Sequence, residues 1–286
     1  MAHILYGKPV REKIKADVID RIEKLGRQPV LSIIQVGDRA DSTIYIERKQ
    51  KFAEEIGAET VYKRFPVEIK EEELISEIEK INQDEKIDGI IVQLPLPQSL
   101  DRENILNSIK KEKDADGLSG LDVNGENVIT PATARAVLSL LDFYEIEVKA
   151  KQVTVVGRSN LAGGPIATSV EERGGLVTVC HKETPKELFE AACKNADILI
   201  VAAGQPGLIN KNLVNERQII IDVGINRISP PNPLLQQEGE PEKLTIVGDV
   251  VFSEVEPIVA AITPVPGGIG PLTVACLFQN LLDLII

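Results

Sequence analysis

The chain has 286 residues, 43% of them hydrophobic and 27% charged, with a net charge of −12 at pH 7. That length accommodates two ordinary domains with full cores, and the composition is that of a soluble globular protein. The acidic balance argues against a nucleic-acid backbone or an anionic membrane as partner, so an anionic small ligand has to be captured by local basic groups. The opening, MAHILYGKPVREKIK, turns polar at once and contains no signal-peptide core, which points to the cytoplasm. Cys180, Cys193 and Cys276 are odd in number and show no C-x-x-C spacing, as expected of reduced, buried thiols. His3 and His181 are the only histidines, which leaves almost no material for a zinc site or a serine-type triad. No metal is expected. The chemistry falls to a cofactor, or to Lys, Tyr, Asp and Gln.

In chain order, Val10, Ile14, Val18, Ile22 and Leu25 recur at helical spacing among charges and predict an amphipathic helix. Pro29–Gly37 reads as a strand running into glycine. Ser42 is placed to cap a helix over Thr43–Ile56 that Gly57 ends. Val61–Pro66 is a second strand, Glu71–Asn82 a second charged helix, and Asp88–Leu94 a third strand stopped by Pro95 and Pro97. Asp101 caps the next helix. This alternation predicts an α/β domain.

Asp114–Pro131 is rich in turn pairs, including Asp116-Gly117 and Asn124-Gly125, and reads as the crossing between domains. Thr133–Tyr144 is a connecting helix. From Lys151 the alternation restarts, with strand candidates at Val153–Val156, Leu176–Cys180, Asp197–Ala202, Gln218–Val223 and Leu244–Val247. Pro185 opens a helix among them, and Pro230–Glu242 is a polar, proline-rich excursion. Thr263–Pro271 is a proline–glycine loop leading into the closing segment LTVACLFQNLLDLII, too short and interrupted to span a bilayer and expected to be an amphipathic or buried helix.

The centre of the pattern is Lys151–Pro165, KQVTVVGRSNLAGGP. A β-branched run, then Gly157, then Gly163 and Gly164 before Pro165, matches a strand, a tight turn and a helix N-terminus. Such a turn presents backbone N–H groups and the positive helix end to a phosphate. The spacing is not G-x-G-x-x-G, so the glycines alone do not decide between this and a plain loop. About twenty residues on, the second strand ends in Cys180-His181-Lys182 where an NAD-selective fold usually carries an acid. Lys182 with Arg158 suits a 2′-phosphate and so NADP. Ordinary surface residues are the alternative, and Glu183 alongside opposes the cations.

Tyr45 and Lys49, four apart, share one helical face at the C-terminal end of the first strand, and Arg48 falls on another. An aromatic beside an amine can stack a planar heterocycle and exchange protons with it. On this pair alone, a half-buried tyrosine beside a solvated lysine is the better reading. Gln93 ends the third strand on the same edge, placed to orient a polar neighbour. Asp116 can accept hydrogen bonds from a ring N–H and an amine.

Taken together, the segments VGDRADSTIYIERK (36–49), DGIIVQLPLP (88–97), KDADGL (113–118), VVGRSNLAGGP (155–165), ADILIVAAGQPG (196–207), IDVGINR (221–227), VGDV (247–250) and ITPVPGGIGPLT (262–273) cover the chain from end to end. In this order they resemble the bifunctional methylenetetrahydrofolate dehydrogenase/methenyltetrahydrofolate cyclohydrolase family. The resemblance implies two α/β domains with an active-site cleft between them and a homodimer of such subunits. The folate-binding catalytic domain would comprise 1–125 with 270–286, and a Rossmann-like NADP-binding domain 126–269. It implies Lys49, Gln93 and Tyr45 as catalytic residues, with Gln93 tuning Lys49 and Tyr45 stacking on the folate. Asp116 would bind the pterin, and Pro266, Gly267 and Gly268 would approach the substrate. Gly157, Arg158, Ser159, Gly163, His181, Lys182, Ala203, Gly204 and Ile225 would hold NADP.

One departure stands out. The family usually carries P-C-T-P-x-G where this chain has Pro131-Ala-Thr-Ala-Arg-Ala136, with Thr133 still placed to cap the helix. The implied activity is oxidation of 5,10-methylenetetrahydrofolate to the methenyl cation, then hydrolysis to 10-formyltetrahydrofolate. A dehydrogenase lacking the hydrolytic step and a non-catalytic nucleotide-binding protein are the alternatives.

Overall fold

The computed structural model describes residues 2–119, 129–228 and 245–285. The chain divides into two compact units, Met1–Val10 with Thr133–Leu272 and Arg11–Ala132 with Thr273–Ile286. After β1 (His3–Ile4) and α1 (Gly7–Leu25) come β2 (Val30–Val36), α2 (Ala40–Ile56), β3 (Glu59–Phe65), α3 (Glu71–Gln83), β4 (Gly89–Val92) and α4 (Arg102–Asn107). A short 3₁₀ turn follows at Lys111–Lys113. β2 is the middle strand of a parallel sheet of order β3-β2-β4. Covered on both faces, β2 and β4 are almost wholly buried, which is why they read as unbroken apolar runs. Ile34, Ile90 and Val92 pack there with Leu74, Ile78 and Ile81 of α3 and Ile105 of α4.

The larger unit begins with α5 (Ala132–Phe143), β5 (Gln152–Val156), α6 (Gly163–Glu172), β6 (Leu176–Cys180), α7 (Lys186–Asn195), β7 (Ile198–Val201) and β8 (Ile219–Asp222). It continues through β9 (Asn226–Ile228), β10 (Thr245–Val247), α8 (Phe252–Val255) and β11 (Ala261–Ile262), before α9 (Gly270–Asp283) closes the chain. Six strands form one parallel sheet of order β1-β11-β8-β7-β5-β6. The chain steps outward from β5 to β6, then returns past β5 to β7. The carboxyl ends of β5 and β7 therefore flank a topological switch point, where open α/β sheets bind ligands.

Several local expectations hold. Asp101 Oδ1 accepts from the N–H groups of Glu103 at 2.9 Å and Asn104 at 3.1 Å, and Gly57 closes α2 in the left-handed conformation, φ 80°. The final helix takes the buried form: Leu272, Ala275, Cys276, Leu277, Phe278, Leu281 and Leu282 are at most 1% exposed. Among the described residues no helix is long and apolar enough to cross a membrane. Cys180, Cys193 and Cys276 are free and buried.

Others are corrected. Helix α2 starts at Ala40, after Arg39, so Ser42 lies inside its first turn, and no side-chain cap bond is made by Arg39. α5 likewise starts at Ala132, which puts Thr133 within the helix. Ala134 and Ala136, the departures from the family pattern, have no exposed surface there and continue a regular helix, the conformation alanine favours most. Of the strand candidate Leu244–Val247, Thr245–Val247 is a strand, but it pairs antiparallel with β9 in a separate ribbon. The parallel sheet is completed by β11 and β1, each two residues long. Asn124-Gly125 and Pro230–Glu242 lie outside the described residues.

Candidate active site

In the 11–132 unit, α2 and the chain leaving β4 bring the expected lysine and glutamine together. Lys49 Nζ donates to Gln93 Oε1 at 2.8 Å, across a separation of 44 residues. Gln93 is held by the ladder, since its N–H donates to Ile34 O at 2.8 Å. Its Nε2 donates to Leu94 O at 2.8 Å, which turns the carboxamide oxygen toward the amine. Burial pushes the Lys49 pKa below that of a free lysine, and the charge of Asp116 acts in the opposite sense. Burial pushes the Asp116 carboxyl up, against the pull of Lys49 and with a further push from Asp114. An amine in this setting, with one oriented acceptor and a carboxylate close enough to feel, can take up and release a proton nearer neutrality than a solvated lysine.

The loop carrying Asp116 is built by residues that sequence reasoning missed. Asp114 is buried and accepts from Gly117 N at 3.0 Å and Ser119 N at 2.6 Å. Asn280 of α9, also fully buried, donates its side-chain N–H groups to Ala115 O and Thr130 O, both at 3.0 Å. Ala132 N donates to Asp116 O at 3.1 Å. A carboxamide flanked by Leu277, Phe278, Leu281 and Leu282 in the terminal helix was the available signal for Asn280. Tyr45 is partly buried on α2. Arg48, expected on another face, in fact sets its guanidinium 5.5 Å from the Tyr45 ring centroid.

The residues expected to hold the dinucleotide lie in the larger unit, around the switch point. Gly157 N donates to Cys180 O at 2.8 Å and Ala202 N to Val156 O at 2.7 Å, tying the ends of β5, β6 and β7. A Cβ on Gly157, where φ is 122°, would meet Ala202 O at 2.3 Å; one on Gly163 would meet Gly157 O at 2.1 Å. The glycines thus permit a backbone turn too tight for any side chain, leading straight into the first turn of α6. Ser159 O accepts from Gly164 N at 3.0 Å, and the Ser159 side chain is exposed.

These features fit a dinucleotide: a glycine turn, a helix N-terminus and exposed cations, Arg158 after β5 and Lys182 after β6. Arg158 pairs with Glu183, Nη2 to Oε2 2.8 Å, with both side chains more than half exposed. His181 Nδ1 accepts from Glu183 N at 3.3 Å, while Lys182 is exposed. Ala203, Gly204 and Ile225 are exposed at the ends of β7 and β8.

Pro266, Gly267 and Gly268 fall in this same unit. Gly267 O accepts from Gly7 N at 2.8 Å. A Cβ on Gly268 would meet Pro264 O at 2.7 Å, so the loop's own folding requires this glycine.

Comparison with known proteins agrees with both halves. Residues 5–116 match the tetrahydrofolate dehydrogenase/cyclohydrolase catalytic domain, and residues 131–285 match that family's NAD(P)-binding domain. The bifunctional protein FolD of Moorella thermoacetica is 38% identical over 289 residues, covering 99% of this chain and 98% of that one. The crystal structure of the bifunctional dehydrogenase/cyclohydrolase FolD of Campylobacter jejuni superposes with a TM-score of 0.89 at 35% identity, over 99% and 98% of the two chains. The Trypanosoma brucei enzyme, crystallised with NADP and an inhibitor, gives a TM-score of 0.90 at 35% identity, over 99% and 97%. With a lysine–glutamine–aspartate group in its catalytic domain and a glycine-turn cradle in its NAD(P)-binding domain, the chain belongs to the tetrahydrofolate dehydrogenase/cyclohydrolase family.

Proposed function

We propose that this dehydrogenase/cyclohydrolase oxidises 5,10-methylenetetrahydrofolate with NADP and hydrolyses the methenyl product to 10-formyltetrahydrofolate, with Lys49 moving the protons of the second step. The observation that carries this reading is the partly buried Lys49 amine bonded to the Gln93 carboxamide at 2.8 Å. The dinucleotide supplies a hydride acceptor, and the protein's part in that step is alignment and exclusion of water. Hydrolysis asks for more. Water attacks the amidinium carbon and loses a proton, and the ring nitrogen takes up a proton as its bond to that carbon breaks. Lys49 serves both transfers, Gln93 holds its orientation, Asp116 offsets part of the burial penalty on its charged form and binds the pterin N–H groups, and Tyr45 stacks on the ring.

Arg158 and Lys182 are assigned to the 2′-phosphate. Replacing both with glutamine should change the ratio of NADP to NAD affinity by about tenfold or more, since charge-assisted bonds to phosphate contribute roughly 1.5–3 kcal/mol each. The measurement is methenyl-folate absorbance during turnover, run with both cofactors on the wild type and the variant. Equal losses for NADP and NAD would overturn the assignment, and a wild type silent with both would overturn the reading itself.

The homodimer is proposed across the β6 edge. That strand has no neighbour on one side among the described residues, and Leu176 and Val179 are 52% and 40% exposed along it. Light scattering should give twice the chain mass of 31.2 kDa, and Leu176→Glu should shift it toward the single-chain value.

A further inference from the structure

Two carboxylates lie buried beneath the switch point, and neither takes part in the chemistry above. Asp249, with no exposed surface, follows β10; Asp222, 3% exposed, ends β8. Asp249 Oδ2 accepts from Ala203 N at 2.7 Å and Gly204 N at 2.9 Å, and its Oδ1 accepts from Asn226 Nδ2 at 2.8 Å. Asp222 Oδ1 accepts from Gly224 N at 2.9 Å and Asp249 N at 3.1 Å, and Oδ2 from Val250 N at 2.9 Å. The Asp222 N–H in turn donates to Thr263 Oγ1 at 2.7 Å, at the start of the proline–glycine loop.

The fit is reciprocal. A Cβ on Gly224 would meet the Asp249 carboxyl carbon at 2.4 Å, and one on Gly248 would meet Asp222 Oδ2 at 1.9 Å. The two segments IDVG and VGDV are therefore matched, each aspartate seated on the other segment's glycine.

Burying a carboxylate is unfavourable unless its lone pairs are filled. Here all the donors but the Asn226 side chain are backbone amides at strand ends, so burial fixes those segments relative to one another. The segment held most directly is Ala203-Gly204. It is exposed on its outer side, and a Cβ on Gly204 would meet nothing within 4 Å. Its inner N–H groups are both taken by one carboxylate oxygen.

We propose that Asp249 is the positioning residue for the dinucleotide loop. It pins two consecutive N–H groups of Ala203-Gly204 from below, so that the outer face of the loop keeps the shape a nicotinamide dinucleotide requires. Asp222 holds Asp249 in register. This rests on the reading that Ala203 and Gly204 line the cofactor site.

The test exchanges acceptor and donor. Asp249→Asn has one side-chain oxygen, so it cannot serve both the Ala203-Gly204 amides and the Asn226 carboxamide as that group now points. Asp249→Asn combined with Asn226→Asp restores an acceptor opposite the new donor while leaving the net charge unchanged. The single variant should raise the NADP KM and dissociation constant by about tenfold, with a smaller change in kcat at saturating NADP, the size expected when one buried charged acceptor is lost. The double variant should recover NADP affinity to within about threefold of wild type, as coupling between two contacting groups predicts. Cyclohydrolase turnover on methenyltetrahydrofolate, assayed without dinucleotide, should stay within about twofold in both, because uncoupled sites respond independently.

An unchanged NADP KM in Asp249→Asn would overturn the proposal. So would cyclohydrolase and NADP losses that fall together and are not rescued by the second substitution, since that pattern marks a general folding role. Absence of NADP binding by the wild type, by contrast, would remove the cofactor reading itself, whatever the variants do.

Discussion

Lys49→Met should lose conversion of the methenyl cation to 10-formyltetrahydrofolate by at least about 10²-fold, the usual contribution of a positioned general acid–base, while dehydrogenase turnover survives. The two reactions share one bound folate but differ in what they ask of the protein. Hydride transfer needs alignment, whereas hydrolysis needs a group that gains and loses a proton. Methionine keeps most of the side chain's length and apolar packing, and it deletes the amine together with the donor to Gln93 Oε1. Methenyltetrahydrofolate should accumulate during NADP-dependent turnover and be visible by its absorbance.

The choice of control matters. Arg48 is unsuitable, because its guanidinium lies over the Tyr45 ring and its loss would disturb the proposed stacking residue. Lys51 is exposed on the same helix and removes the same charge without touching the site, so Lys51→Met should spare both reactions. If Lys49→Met loses both reactions equally, the lysine is a binding or folding residue and the proton-transfer role is wrong.

Much of this arrangement was legible in the sequence because the signals are local. β2, β4, β5 and β7 are short apolar runs with a turn residue just beyond, and burial on both faces demands that composition. Lys49, Gln93 and Asp116 stood out because each follows or faces a strand end in the smaller unit. What the sequence hid depends on partners far away along the chain. β1 and β11 are two residues each, and nothing local distinguishes them from loop until they are paired with each other and with β8. Thr245–Val247 has strand composition, but its antiparallel pairing with β9 is a tertiary fact. Asp222 and Asp249 look like ordinary turn residues beside glycine, the usual place for aspartate. Only the fold shows that Asp222 is buried on the amides of Asp249 and Val250, and Asp249 on those of Ala203 and Gly204. Ser42 misled for the opposite reason: a good capping residue is near the helix start, but the helix begins two residues before it.

Asp116→Asn should affect the two reactions in different ways, and this follows from its proposed role toward folate and its electrostatic coupling to Lys49. The substitution keeps the side chain's shape, removes its charge and turns one acceptor into a donor. If Asp116 accepts the pterin N–H groups, the folate KM should rise about tenfold or more in both reactions, as loss of a charge-assisted hydrogen bond implies. NADP affinity should be nearly unchanged.

The second effect is on pH dependence. Burial lowers the Lys49 pKa, and Asp116 is the group that opposes this by favouring the charged amine. Removing the carboxylate leaves burial unopposed, so the Lys49 pKa must fall further. The limb of the cyclohydrolase pH profile that reports Lys49 should therefore move to lower pH at saturating folate, while the dehydrogenase profile does not follow it. A folate KM that rises with no displacement of that limb would leave Asp116 a binding residue without electrical hold on Lys49. An unchanged KM together with an unchanged profile would make it a turn residue of the Asp-Gly pair and nothing more.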